Sequence, residues 1–312
     1  MSQRAQRDLR IREDVSLRAI GLCLSAALLV APCSGQCAPP WIAPNPAALR
    51  VMVLLEGETD PDVARAVASL GANAVATRNP PDPATGANLG AAGLRYIAPL
   101  PVRDAERLPL DTALLARLRS IPALAGLEYY DDSVTEGYAA PETQARSYGI
   151  LKALFPDVLV LYALRLDLVA IDPGYLDGYF RPEFTDLVVP YFYPVGSTTL
   201  GPQQESDAWE ERLQGLLSPV AARMPAGQGI LPVLQAFEQE AFPVNGGFLR
   251  RQVDVYAAIW PDNQNAATFA WTAREVLHGT DEQPVIFRSV SSLFGGVPSP
   301  PVPCLVPPRP VR

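Results

Sequence analysis

From residue 49 onward, short apolar runs alternate with stretches of helical spacing. Residues 49–55 are apolar apart from Arg50 and lead into Glu56-Gly57-Glu58, the pattern of a buried strand that delivers acids at its C-terminal end. Residues 60–70 set Val63, Val67 and Leu70 on one face, with Asp60 as N-cap, Pro61 at the first helical position and Gly71 past the end. A short second strand is expected over 73–77, and the Pro-, Gly- and Asn-rich residues 78–93 are expected to form a loop. Residues 94–102 predict a third strand, and 111–120 a helix with Leu114, Leu115 and Leu118 on one face. Residues 124–136, LAGLEYYDDSVTE, begin apolar, turn aromatic at Tyr129 and Tyr130 and end in the adjacent acids Asp131 and Asp132. They read as the fourth strand.

The alternation continues with a helix over 141–155, a fifth strand over 158–164, and a loop whose Asp167 and Asp172 are expected to cap a short helix. Residues 187–193 predict the sixth strand, 205–223 a long helix, and 229–237 the seventh strand, followed by Glu238 and Glu240. A helix over 248–259 precedes the eighth strand at 266–271, and a short helical stretch is expected near 282–293. Eight strands alternating with helices predict a single α/β domain, a (β/α)8 TIM barrel with its pocket at the C-terminal ends of the strands. An open doubly wound sheet is the alternative. It usually carries a glycine-rich phosphate loop after the first strand, and Glu56-Gly57-Glu58 is not one.

The chain ends change the picture of where the protein resides. Residues 1–38 combine Arg4, Arg7, Arg10, Arg12 and Arg18 with an apolar stretch over 19–31, which reads as a signal peptide, with an uncleaved anchor as the competing reading. The expected organisation is therefore signal peptide 1–38, proline-rich lead 39–48, barrel 49–296 and proline-rich tail 297–312. The implied location is outside the cell, in the periplasm or in the cell envelope, with no membrane span in the mature form. Cys37 and Cys304 would then face an oxidising compartment, where a disulfide tying the two ends is a hypothesis.

Composition narrows the chemistry. The 312 residues are 48% hydrophobic and carry a net charge of −8, so a nucleic-acid partner, which requires a basic face, is not expected. Lys152 is the only lysine, His278 the only histidine, and no CxxC pair occurs, so no His/Cys metal site and no cofactor are expected. In a barrel the residues just past each strand converge on one site. Here they are Glu56 and Glu58, Asp131 and Asp132, Asp167, Tyr191 and Tyr193, Gln235, Glu238 and Glu240, and Trp271. Carboxylates with aromatics and no histidine suit glycoside chemistry. Aromatic rings stack on sugar faces, while one carboxyl protonates the leaving oxygen and another attacks or stabilises the anomeric carbon.

The acids ending the fourth strand (EYYDD), the Tyr-Pro ending the sixth (VVPYFYP) and the tryptophan ending the eighth (TFAW) resemble glycosidase-type barrels. The resemblance is to bacterial barrel proteins whose fourth strand ends in an Asp-Glu-Pro-like motif. That motif would read Asp131-Asp132-Ser133 here, departing at two of three positions. Family 18 chitinases are a more distant comparison, since their alternate acids would fall on Glu128, Tyr130 and Asp132. The resemblance implies Asp132, or Asp131 beside it, as general acid, and Tyr130, Tyr191, Tyr193, Gln235 and Trp271 around a carbohydrate substrate. Glu238 and Glu56 are the candidates for the partner carboxylate, because Gln235 occupies its natural position and an amide is neither nucleophile nor base. The expected function is a glycoside hydrolase acting on a polysaccharide. The alternatives are a barrel that binds carbohydrate without cleaving it, and a hydrolase holding Ca²⁺ or Mg²⁺ on an all-carboxylate site.

Overall fold

The computed structural model describes residues 48–55, 59–129, 139–193, 209–236, 246–282 and 284–295. The strands are β1 (Arg50–Leu54), β2 (Ala74–Thr77), β3 (Arg95–Pro99), β4 (Leu124–Tyr129), β5 (Leu159–Arg165), β6 (Leu187–Tyr191), β7 (Gly229–Ile230), β8 (Val233–Gln235) and β9 (Ala266–Trp271). They pair in parallel in the order β5-β4-β3-β2-β1-β9-β8-β6-β7, and a β5–β6 ladder closes the ring. β7 and β8 both pair with β6 and are two pieces of the seventh barrel strand. Pro232, which has no N–H to give the ladder, separates them. The result is a closed barrel of eight parallel strand positions, as the alternation predicts.

Helices surround the ring: α1 (Pro61–Ser69), α2 (Pro83–Ala91), α3 (Val102–Arg107), α4 (Thr112–Arg119), α5 (Pro141–Leu154), α6 (Leu166–Ile171), α7 (Tyr175–Gly178), α8 (Trp209–Ala221), α9 (Gly246–Ile259), α10 (Ala273–Glu282) and α11 (Pro284–Phe294). Asp60 caps α1 as expected, its Oδ1 accepting from the Asp62 and Val63 amides at 2.8 Å. Asp111 caps α4 through the Leu114 amide. Thr272 and Glu275 form a reciprocal capping box at the start of α10. Among the described residues no helix is long and apolar enough to cross a membrane.

Residues 78–93 are not the expected loop, because they contain α2. Asp82 accepts from the Thr85 amide at 2.7 Å, Pro83 sits in the first turn, and glycine lets the helix approach β4's lead. A Cβ on Gly86 would lie 2.4 Å from Ile121 Cγ2. Close packing and a cap therefore override the poor helix propensity of glycine. Asp167 and Asp172 likewise do not cap α6. Asp167 pairs with Arg165, and Asp172 accepts from the Gly174 amide.

Strand alternation divides the apolar residues into two layers. Val51, Ala74, Ala76, Ile97, Leu161, Val189, Val233 and Ala267 fill the barrel interior. Met52, Leu54, Val75, Tyr96, Leu127, Val160, Val188 and Leu234 point outward, meeting helix residues such as Val67, Leu89, Leu151, Leu217 and Leu249. Burying each Val, Leu, Ile or Met side chain among them contributes about 1.5–3 kcal/mol. The two layers fix which residues reach the interior at the strand ends. The residues of the expected signal peptide, nearly all of the proline-rich lead, the tail and both Cys37 and Cys304 lie outside the described residues.

Candidate active site at the barrel mouth

Glu128 stands on the inner face of β4, opposite Pro99 of β3 and Leu161 of β5. A Cβ on Gly126, two residues earlier, would meet Leu161 and Ile97 inside the barrel, which fixes the inward parity. Glu128 is half-buried, and burial pushes its carboxyl from the usual range up to about 7, against the opposing pull of the Arg78 charge. A carboxyl with that proton affinity keeps its proton at mildly acidic pH and shares it near neutrality.

Arg78 follows β2 two residues after the inward Ala76. Its guanidinium carbon lies 4.9 Å from the centroid of Phe269, itself two residues after the inward Ala267. The opposite partner of Phe269 is Tyr193, stacked at 5.2 Å with an interplanar angle of 15°. Tyr191 is next, 6.0 Å from Tyr193. A cation and three rings thus run across the mouth from the end of β2 to the end of β6. Tyr191 pairs with Arg165 of β5, whose guanidinium donates to both carboxylate oxygens of Asp167 at 3.1 and 2.6 Å.

The sequence-derived candidates fall into three groups. Tyr191 and Tyr193 stand at the mouth, half-buried. Gln235 is fully buried at the end of β8, and its main chain is held by Gln252 of α9, which accepts from its N–H at 2.9 Å and donates to its carbonyl at 3.1 Å. Trp271 does not line the mouth. It is 1% exposed in the layer between strands and helices, edge-on to Phe287 of α11 at 4.9 Å, with its indole N–H donated to Thr268.

The reason for the Trp271 displacement is a register shift in β9. Met52 pairs with Thr268 but Leu54 pairs with Trp271, so three steps on β9 oppose two on β1. The extra residue turns Trp271 from the inner to the outer face. Glu56, Tyr130, Asp131, Asp132 and Glu238 lie outside the described residues, as do Glu58 and Glu240. His278 is exposed on α10. Sequence reasoning missed Glu128, Arg78 and Phe269 as site residues. The available signal was parity, since each lies an even number of steps from an inward Gly or Ala.

Chemically, the described mouth offers a proton-bearing carboxyl, a fixed cation and aromatic surface. Among the described residues no three His, Cys, Asp or Glu side chains gather as a metal-binding group.

No family model matches the chain, and no curated protein is similar to it. Solved structures share its fold. A β-D-glucuronidase from Dictyoglomus thermophilum superimposes with a TM-score of 0.53 at 11% identity, over 80% of this chain and 50% of that one. The spore cortex-lytic enzyme SleL of Bacillus cereus superimposes with a TM-score of 0.51 at 8% identity, over 81% of this chain and 75% of that one. Bacteroides uniformis β-glucuronidase 2 gives 0.46 at 12% identity, over 73% of this chain and 31% of that one. The chain thus spans a third to a half of the glucuronidases it matches. What the chain shares with these structures is the (β/α)8 barrel fold.

Proposed function

We propose that the protein is an exported glycoside hydrolase that cleaves a polysaccharide, with Glu128 as the proton donor. The observation that carries this reading is a carboxyl on the inner face at the C-terminal end of β4 that holds its proton up to about pH 7. As the glycosidic C–O bond breaks, the Glu128 proton passes to the leaving oxygen. A second carboxylate then attacks the anomeric carbon or takes a proton from the attacking water. Asp131, Asp132, Glu238 and Glu56 are the candidates for that second group. Tyr191 and Tyr193 offer ring faces for the sugar, and Tyr130 is expected beside them.

The test is hydrolysis of a polysaccharide panel by the wild type, Glu128→Gln, Asp131→Asn, Asp132→Asn and Glu238→Gln. Loss of about 10²–10⁴ in Glu128→Gln supports the assignment. Full activity in that variant with loss in Asp132→Asn would move the acid to Asp132. A second reading, carbohydrate binding without cleavage, is favoured by the buried amide of Gln235 at the end of the seventh barrel strand. Glycan binding with no turnover on any polysaccharide would select it.

A further inference from the structure

At the end of the barrel opposite Glu128, the strand starts carry two arginines that no acid balances. Arg50 opens β1, Arg95 opens β3, and Asn73, just before β2, binds the main chains of both. Its side-chain oxygen accepts from the Arg50 amide at 2.9 Å, and its main-chain N–H donates to the Arg50 carbonyl at 3.0 Å. Its own carbonyl accepts from the Arg95 amide at 3.0 Å, and its side-chain nitrogen donates to the Ala48 carbonyl at 2.7 Å. The asparagine is thus fully engaged. It fixes the two arginine backbones two strands apart, about 10 Å.

Arg95 belongs to the inward set with Ala74 and Ile97, and Arg50 precedes the inward Val51, so the two side chains flank the start of β2. Both are half-buried. Among the described residues neither guanidinium has an ion pair or a hydrogen-bond acceptor. The chain leading into β1 offers no counter-charge, since no acid occurs from 15 to 55. The two charges instead act on each other: burial, and then the Arg50 charge, hold the Arg95 guanidinium below the ordinary arginine range. The Nε of Arg50 has no surface and is out of reach of a ligand. It is the only nitrogen of the pair so enclosed, which leaves the terminal nitrogens of Arg50 and the fork of Arg95 open at the surface. A charge drawn half out of water ordinarily has a partner, and two like charges side by side repel unless an anion lies between them.

We propose that Arg50 and Arg95 together bind a phosphate-class oxyanion beneath the start of β2. Phosphate presents oxygens on all sides, so two guanidinium forks can take it from two directions with paired N–H···O bonds. A planar carboxylate gives both its oxygens to a single fork. The site lies at the far end of the barrel from Glu128 and does not depend on the hydrolytic reading. Free phosphate and the phosphate of a lipid headgroup carry the same chemistry, and the experiment separates them.

The full chain is titrated calorimetrically with inorganic phosphate at constant ionic strength, as wild type, Arg50→Met, Arg95→Met and, as a control, Arg119→Met at the exposed end of α4. A second arm measures sedimentation with phosphatidylcholine vesicles, with and without phosphatidylglycerol. Binding of either probe that both site substitutions weaken about tenfold or more, and that Arg119→Met leaves unchanged, supports the site. The melting temperature of Arg95→Met without phosphate should hold or rise, because the substitution removes a repulsion, and this keeps lost binding distinct from misfolding. Arginine-dependent binding to the phosphatidylglycerol vesicles makes the headgroup the ligand. Phosphate binding without vesicle binding makes it the free anion. No binding of either probe by wild type, or binding that Arg50→Met and Arg95→Met both retain, overturns the proposal.

Discussion

The guanidinium of Arg78 lies over the ring of Phe269, 4.9 Å from its centroid, at the mouth of the barrel that also holds Glu128. The ring restrains the cation, and the cation opposes the burial that raises the Glu128 proton affinity. Replacing Arg78 by Met removes the opposing charge. The alkaline limb of the pH–rate profile, where Glu128 loses its proton, should then move to higher pH. Arg78→Lys should move it less, and Phe269→Leu, which frees the cation, should fall between. An unchanged limb in Arg78→Met would show that Arg78 does not act on Glu128.

The same carboxyl leaves a mark on stability. Its ordinary value is 4.5 and its folded value about 7, so between these the folded state binds more proton than the unfolded state. The stabilisation is fully present below about pH 4.5 and is lost as pH rises towards about 7, roughly 3 kcal/mol in all. Chemical denaturation at pH 5 and pH 8 should show this fall in wild type and a much flatter difference in Glu128→Gln. Equal slopes in the two proteins would place the titration elsewhere.

Gln252 takes the place of a strand partner. Both its amide atoms are committed to the main chain of Gln235, and it is 1% exposed. Gln252→Leu keeps the volume but removes two buried hydrogen bonds to the Gln235 main chain, at about 0.5–1.5 kcal/mol each. Thermal melts should show the loss. A variant as stable as wild type would mean that another group satisfies Gln235.

Gly86 is a helix-interior glycine at which alanine should destabilise. Ordinarily the exchange gains about 0.5–1 kcal/mol. Here the new Cβ would fall 2.4 Å from Ile121 Cγ2, and overpacking of this kind costs about 1–3 kcal/mol. Gly86→Ala with Ile121→Val should recover part of the loss, which a melt of the double variant measures.

The barrel was legible because strand and helix periods alternate cleanly from 49 onward and because Asp60 sits where an N-cap belongs. Three features were not. Residues 83–91 carry loop-like composition, yet the Asp82 cap and the close contact at Gly86 hold them as a helix. Trp271 lies at the end of a well-formed apolar run, and only the register shift between Met52 and Leu54 turns it outward. A shift of that kind has no local signature in TFAW. Glu128 was overlooked for the reverse reason, because the acids after it drew attention away from the last inward position of the strand itself.

The most direct test of Glu128 as proton donor compares Glu128→Gln with wild type on two substrates. On a polysaccharide, whose leaving oxygen needs a proton, the variant should lose about 10²–10⁴ in rate. On the matching dinitrophenyl glycoside, whose leaving group departs without one, the loss should be far smaller. Equal losses on both substrates, or an unchanged rate on the polysaccharide, would contradict the assignment.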